Sequence, residues 1–221
     1  MEWQRNEAYA LVSGTTLELI AEDVRTCTRC ALHRGRTRAV PGEGPSDAKI
    51  MFIGEGPGYH EDRQGRPFVG ASGQFLDELL ALAGLQRADV FIGNVVKCRP
   101  PQNRDPQPDE VQTCTEAYLF PQITTLDPKV IVTLGRFSMN LFIPGAKISR
   151  IHGQPQRVGA RLIVPMLHPA AALHQPQNRP LLEDDFRRLP EILAAEEARS
   201  AAARNPSPDD GDPPLEQLSM F

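Results

Sequence analysis

The chain has 221 residues, enough for one well-buried α/β domain with additional segments, and no apolar run approaches the roughly 18 residues of a membrane span. Its first residues, Met1-Glu2-Trp3-Gln4-Arg5, lack the basic-then-apolar pattern of a signal peptide, so the expectation is a cytoplasmic protein with no membrane attachment. The net charge of −4 hides a split: residues 1–182 carry 20 Lys+Arg against 18 Asp+Glu, and residues 183–221 carry 4 against 10, so a mildly basic body that permits a local nucleic-acid patch precedes an acidic end.

In chain order, Thr15–Cys27 reads as a helix with an apolar stripe of Leu17, Ile20 and Val24. Residues 31–48, rich in Arg, Pro and Gly, read as a loop. Lys49–Ile53 is an apolar run that predicts a buried strand, followed by a loop over Gly54–Gly65 that begins G-E-G-P-G-Y-H-E-D. Ser72 is a suitable N-cap for a helix running through Ala83 and ended by Gly84. Val90–Cys98 predicts a second strand, Arg99–Pro108 a Pro-rich loop and Asp109–Leu126 a helix. Lys129–Leu134 predicts a third strand, leading through Gly135 into a helix at Phe137–Phe142. Arg161–Leu167 predicts a fourth strand that ends at His168-Pro169, and Glu183–Leu193 starts the last helix.

Strands alternating with helices predict a three-layer α/β/α architecture around a central, mostly parallel four-stranded sheet. Ligands of such sheets sit beyond the carboxyl ends of the strands. Gly54-Glu55, Asn94 and His168 stand at three such ends and predict one shared pocket. From about residue 200 the sequence AAARNPSPDDGDPP is small, acidic and Pro-rich and cannot build a core. The expected division is a domain over residues 1–198 and a flexible acidic tail over 199–221, although the last nine residues, PPLEQLSMF, turn apolar again.

The chain has four cysteines, Cys27, Cys30, Cys98 and Cys114. Cys27 and Cys30 form C-T-R-C after a predicted helix and before a basic loop, which is not the strand-then-helix setting of a thioredoxin-type pair. Four thiols in a cytosolic protein with no others point to a four-thiolate site, either zinc or an iron–sulfur cluster. The glycine-rich loop after the first strand carries Glu55, Glu61 and Asp62, which allow metal binding or acid–base chemistry. No G-K-[ST] follows Gly54–Gly58, which counts against a P-loop.

Taken together, C-T-R-C at 27–30, G-E-G-P-G at 54–58 with Glu61-Asp62, G-R-P-F-V-G at 65–70, Gly93-Asn94, Cys98, Cys114 and H-P-A at 168–170 resemble the family 4 uracil-DNA glycosylases, the iron–sulfur branch of that superfamily. The motifs occur in family order across about residues 20–193. The resemblance implies a [4Fe-4S] cluster on the four cysteines and removal of uracil from deaminated DNA, leaving an abasic site. It further implies a uracil pocket of Gly54, Glu55, Gly56, Phe68, Asn94 and His168. A flipped base needs an aromatic platform, the part of Phe68. The Asn94 side chain has the complements of uracil's N3 donor and O4 acceptor and opposes cytosine's reversed pattern. His168 resembles the leaving-group residue, donating toward O2 as negative charge develops there, for which a neutral imidazole suffices. Where better-known uracil glycosylases carry G-Q-D-P-Y, Gly56 falls at the Asp position, and Glu55 is the nearest replacement for orienting water. Asn94, Glu55 and His168 are therefore the expected catalytic group.

For holding DNA, Ala170 and Leu173 follow His168 where the superfamily inserts a minor-groove loop, with Leu173 the candidate wedge. Arg99 and Arg104 are candidates for phosphate contacts, as are backbone groups of Pro41–Pro45 and Pro165. His174 stands where the family often carries Arg. A branch that cross-links to the abasic sugar uses a His in a K-R-R-I-H insertion; RPPQNRDPQPDE here has none, so turnover is expected. At the end of the chain, QLSMF resembles the bacterial sliding-clamp-binding peptide, with Gln217 at the rim and Leu218, Met220 and Phe221 as apolar anchors. A monomer acting on uracil-containing DNA is the leading expectation. A non-catalytic iron–sulfur DNA-binding adaptor of the clamp is the alternative.

Overall fold

The computed structural model describes residues 16–204. Gln217, Leu218, Met220 and Phe221 lie outside the described residues. Five strands, β1 (Ile50–Gly54), β2 (Phe91–Asn94), β3 (Val130–Leu134), β4 (Gln156–Val158) and β5 (Arg161–Met166), form one sheet in the order β2-β1-β3-β5-β4. β1, β2, β3 and β5 are mutually parallel, and β4 pairs antiparallel with β5. The predicted four strands are thus present and a fifth is added at the edge. β4 escapes a reading by hydrophobic run because its Gln-Arg-Val sequence is partly exposed and has no apolar run.

The parallel strands are buried on both sides, which is why they read as near-continuous apolar runs. Alternate residues divide the core. Met51, Ile53, Ile131 and Ile163 face α1 (Leu17–Thr26) and the helical segment near residue 120. Ile50, Phe52, Val130, Val132, Leu134, Val164 and Met166 face the helices of the other layer. On the first side, α4 (Pro108–Cys114) passes through a π-helical turn (Thr115–Leu119) into α5 (Phe120–Leu126). The expected single helix over 109–126 is therefore broken by a π turn, which places Tyr118 and Leu119 inward. α6 (Arg136–Phe142) also packs on this side through Phe142. On the opposite side lie α3 (Ala71–Leu82), through Phe75, Leu76, Leu79 and Leu80, and α9 (Asn178–Arg204), through Leu182, Phe186 and Leu189.

Several boundaries differ from expectation. α3 is capped by Gly70 rather than Ser72. β2 stops at Asn94, and residues 95–98 leave the sheet. The glycine-rich segment contains a short helix, α2 (Tyr59–Gln64). α7 (Ile148–Ile151) precedes β4, and α8 (Pro169–His174) replaces the expected loop after His168, with Pro169 at a first-turn position where its missing N–H costs no bond. α9 begins before Glu183 and runs to Arg204, past residue 198. No helix among the described residues is long and apolar enough to cross a membrane.

Candidate active site

β1 connects to its neighbour β2 on one side, and the chain then crosses to β3 on the other, so the strand order reverses beyond the ends of β1 and β3. That crevice is the expected ligand position in an open parallel sheet. A cavity of about 580 Å³ opens there. It is lined by Glu55, Gly56, Phe68, Asn94, Arg136, His168, Ala170 and His174 among others. The cavity therefore brings together residues from four strand ends. A second cavity of about 600 Å³ lies at the opposite end of the sheet beside Ile50 and Val130, and of the sequence-predicted candidates Pro45 alone is among its lining residues.

Asn94 ends β2 and is buried, with its Oδ1 left without a hydrogen-bond partner. A buried amide oxygen without a donor is costly unless a ligand supplies one. The Asn94 backbone carbonyl is held by Lys97 Nζ at 2.9 Å. Lys97 in turn donates to Gln122 Oε1 at 2.6 Å, and Gln122 Nε2 donates to the Pro41 carbonyl at 2.7 Å. Burial lowers the Lys97 pKa to about 8. Gly54 faces this amide: a Cβ there would stand 2.4 Å from Asn94 Oδ1 and 2.7 Å from the Phe68 ring.

Phe68 is buried, and its ring stacks on His168 with centroids 5.6 Å apart and planes 24° apart. The neighbouring loop is fixed by Glu61. One carboxylate oxygen accepts from Val69 N and Gly70 N, each at 2.9 Å, and the other from Gly58 N at 3.1 Å. Asp62 accepts from Thr37 N at 2.8 Å. Two of the three carboxylates in the glycine-rich segment thus fasten loops, and Glu55 is the one that lines the cavity together with the Glu61 edge.

His168 Nδ1 accepts a hydrogen bond from Ala170 N at 3.1 Å, so the neutral ring carries its proton on Nε2. Burial pushes its pKa down to about 4, against the opposing pull of Glu61. Gly135 allows this placement: its φ is +91°, and a Cβ there would come within 3.2 Å of His168 Cβ. Glu55 is half-buried, and burial, reinforced by Asp105, raises its pKa, with Arg136 opposing. Arg136 pairs with Asp105 at the cavity. Sequence reading missed both residues. The only available signal for Arg136 was its position directly after the glycine that ends a strand.

The DNA-contact candidates separate. Leu173 is 48% exposed on α8, whose Ala170 and Ala171 line the cavity. Arg99 lies 5.2 Å from the Tyr59 ring centroid and donates to Asn103 Oδ1 at 2.7 Å, and it does not line the cavity. Arg104 lines it but is engaged in two hydrogen bonds to Glu110, at 2.7 and 2.9 Å. Pro165 is buried within β5, which removes it as a backbone contact to phosphate.

The four cysteines line one narrow cavity with Val24, Leu32 and Tyr118. Cys27 caps the end of α1, Cys30 precedes a 3-10 turn (Ala31–Arg34), Cys98 follows β2 and Cys114 ends α4. All four are free thiols. Burial pushes Cys114 up to about 12 and raises Cys30 and Cys98. Three N–H groups point at sulfur: Arg29 N to Cys27 at 3.4 Å, Arg36 Nη1 to Cys98 at 3.2 Å and Lys97 N to Cys114 at 3.3 Å. No carboxylate or histidine lines the cavity. Such an all-sulfur set with N–H donors suits a soft metal or iron–sulfur group. Among the described residues no group of three or more His, Cys, Asp or Glu side chains is placed to hold a metal ion.

The family description "Uracil DNA glycosylase superfamily" matches residues 41–191. A type-4 uracil-DNA glycosylase of Saccharolobus solfataricus is 47% identical over 191 residues, covering 81% of this chain and 87% of its own length. One of Archaeoglobus fulgidus is 45% identical over 186 residues, covering 80% and 93%. A type-5 uracil-DNA glycosylase of Thermus thermophilus is 35% identical over 147 residues, covering 58% and 64%. The family match spans the sheet, the cavity at its switch point, Cys98 and Cys114, and together with these relatives it shows that the chain belongs to the uracil-DNA glycosylase superfamily, on its type-4 branch.

Proposed function

We propose that this protein is a monofunctional uracil-DNA glycosylase that draws uracil out of DNA and hydrolyses its N-glycosidic bond, leaving an abasic site for base excision repair. The observation that carries the reading is the unpartnered Asn94 Oδ1, buried beside Phe68 at a cavity that His168 also lines. Uracil offers N3–H to that oxygen and takes the amide N–H at O4, whereas cytosine presents an acceptor at N3. Phe68 supplies the face for the ring. His168, neutral and protonated on Nε2, donates toward O2 as the departing base becomes an anion. The sugar left behind has oxocarbenium character and needs only a positioned water, which Glu55 orients. Leu173 fills the gap in the base stack, and α8 holds the strand beside Ala170. Arg99, on the loop after Cys98, contacts a phosphate of the same strand. No His stands in residues 99–110 to trap the abasic sugar, so the enzyme turns over.

The four cysteines would hold a [4Fe-4S] cluster, which supplies structural bracing and no part of the hydrolysis. Four thiols around one cavity that no carboxylate or histidine lines support this reading. The catalytic domain ends within α9, and the acidic residues beyond it lead to QLSMF, which binds the sliding clamp through Gln217, Leu218, Met220 and Phe221.

The test is incubation with single- and double-stranded uracil oligonucleotides followed by alkaline cleavage. Strand scission at uracil is expected, and its absence with the wild-type protein would remove the main claim and leave the clamp-adaptor reading. Glu55→Gln in single-turnover kinetics tests the water-orienting role. The expected loss is about tenfold or more, concentrated above the raised Glu55 pKa where the wild-type carboxylate is ionised. An unchanged rate would exclude an essential carboxylate.

A further inference from the structure

Phe68 has φ of 51°, the left-handed region. A bulky aromatic residue is strained there and stays only when its surroundings hold it. Glu61 fixes the chain just after it through Val69 N and Gly70 N. From outside the cavity, Arg87, in the 3-10 turn between α3 and β2, donates Nη2 to the carbonyls of Pro67 and Phe68, the latter at 2.9 Å. Its Nε donates to Glu43 at 2.7 Å and its Nη1 to Asp77 at 2.8 Å. Glu43 also binds Arg66 at 2.8 and 3.2 Å. The Glu43 backbone exchanges hydrogen bonds with Ile92, at 2.9 and 2.8 Å, two residues before Asn94. One guanidinium therefore ties the Phe68 loop to α3 and, through Glu43, to the strand that presents Asn94. Arg87 itself does not line the cavity.

We propose that Arg87 is a positioning residue for base recognition: by binding the Pro67 and Phe68 carbonyls it holds Phe68 in its left-handed conformation and so sets the plane on which the extruded uracil stacks. The inference rests on Phe68 being that platform. The planar, multi-donor fork of arginine is what the arrangement requires, because four acceptors lie in fixed directions around one side chain. Without it the two carbonyls lose their donor, and Phe68 is released toward an ordinary backbone conformation that tilts its ring.

The test is a double-mutant cycle in single-turnover excision of uracil from an oligonucleotide, with Arg87→Met, Arg87→Lys, Phe68→Leu and Arg87→Met/Phe68→Leu, each checked by thermal melting. Arg87→Met is expected to slow excision about tenfold, the scale of a disturbed base stack. KM for the oligonucleotide should stay within about twofold. The double variant should be no slower than Phe68→Leu alone, and Arg87→Lys should recover part of the rate. A double variant slowed by the product of the two single effects, or an Arg87→Met protein as fast as wild type, overturns the proposal. Should Arg87→Met fail to fold, the same cycle with Arg87→Lys decides it by the same criterion. Phe68→Leu at wild-type speed overturns the platform reading itself, a failure read from that variant alone.

Discussion

A methyl group at position 54 has nowhere to go. It would meet Asn94 Oδ1 at 2.4 Å and the Phe68 ring at 2.7 Å, and neither neighbour is the free end of a flexible chain. Gly54→Ala should therefore displace the Asn94 amide, the Phe68 ring or both. Uracil excision is expected to fall about a hundredfold, because misplacement of about an ångström at a reacting site costs on that order, and the melting temperature by several degrees, because overpacking a buried site costs about 1–3 kcal/mol. Equal activity in Gly54→Ala would show that the base does not bind against Asn94. His168 carries a second consequence at this scale. Its pKa is about 4 in the folded protein against an ordinary 6.5, so the unfolded chain binds more protons between those values. Stability is held above pH 6.5 and lost as the pH falls toward 4. At pH 5 the loss is at most about 2 kcal/mol. His168→Gln should lose less stability than wild type between pH 7 and pH 5 in denaturant titrations. An identical loss would mean that His168 is not the buried neutral group described. The meeting of Asn94, Phe68 and His168 at one cavity was legible because each matches a motif. Asp105 and Arg136 were not, since a lone ion pair from two loops leaves no pattern in sequence.

Four separate elements end at the cysteine cavity: α1, the turn after Cys30, the segment leaving β2 and α4. Cys98 follows Asn94 by four residues, and Lys97 between them donates its backbone N–H to Cys114 and its side chain to the Asn94 carbonyl. A group bound by the four thiolates would thus stiffen the end of β2. Cys98→Ser is expected to abolish the visible absorbance of a cluster in the purified protein. It should lower the melting temperature by several degrees, as losing about 1–2 kcal/mol does in a protein of this size. Unchanged melting in a protein stripped of iron would assign the cysteines another role. Element types were legible from apolar runs and helical stripes because the four parallel strands are buried on both faces. Among the features that were not legible, three have a plain physical reason. β4 is short and polar, and its pairing is supplied by β5. α2 lies in a stretch whose glycines read as loop. The π turn at Thr115–Leu119 leaves the helical stripe intact while adding one residue to the turn.

At the scale of the whole molecule, charge and connectivity act together. The sheet order brings the ends of β1, β2, β3 and β5 to one edge, so a single cavity is built from residues more than a hundred positions apart. That convergence was legible in advance, because parallel strands alternating with helices must place their carboxyl ends together. The distribution of charge has a separate effect on DNA. Residues 205–221 contain Asp209, Asp210, Asp212 and Glu216 and no Lys or Arg, so removing them takes the net charge from −4 to zero. The described cavity-lining side chains lie between Glu55 and His174. A chain ending at Arg204 should excise uracil at the wild-type single-turnover rate once DNA is saturating. At low ionic strength it should bind DNA more tightly, because a repulsive charge on the polyanion's approach is gone. That advantage should shrink as salt rises and the screening length falls to about 3 Å near 1 M. The same truncation should abolish binding to the sliding clamp, measured with the purified clamp, while a Gln217→Ala/Phe221→Ala variant of the full chain should lose clamp binding and keep the wild-type salt dependence on DNA. Clamp binding kept by the Gln217→Ala/Phe221→Ala variant would remove the clamp-binding role of the last five residues, and a truncated chain with the wild-type salt dependence on DNA would remove the charge account.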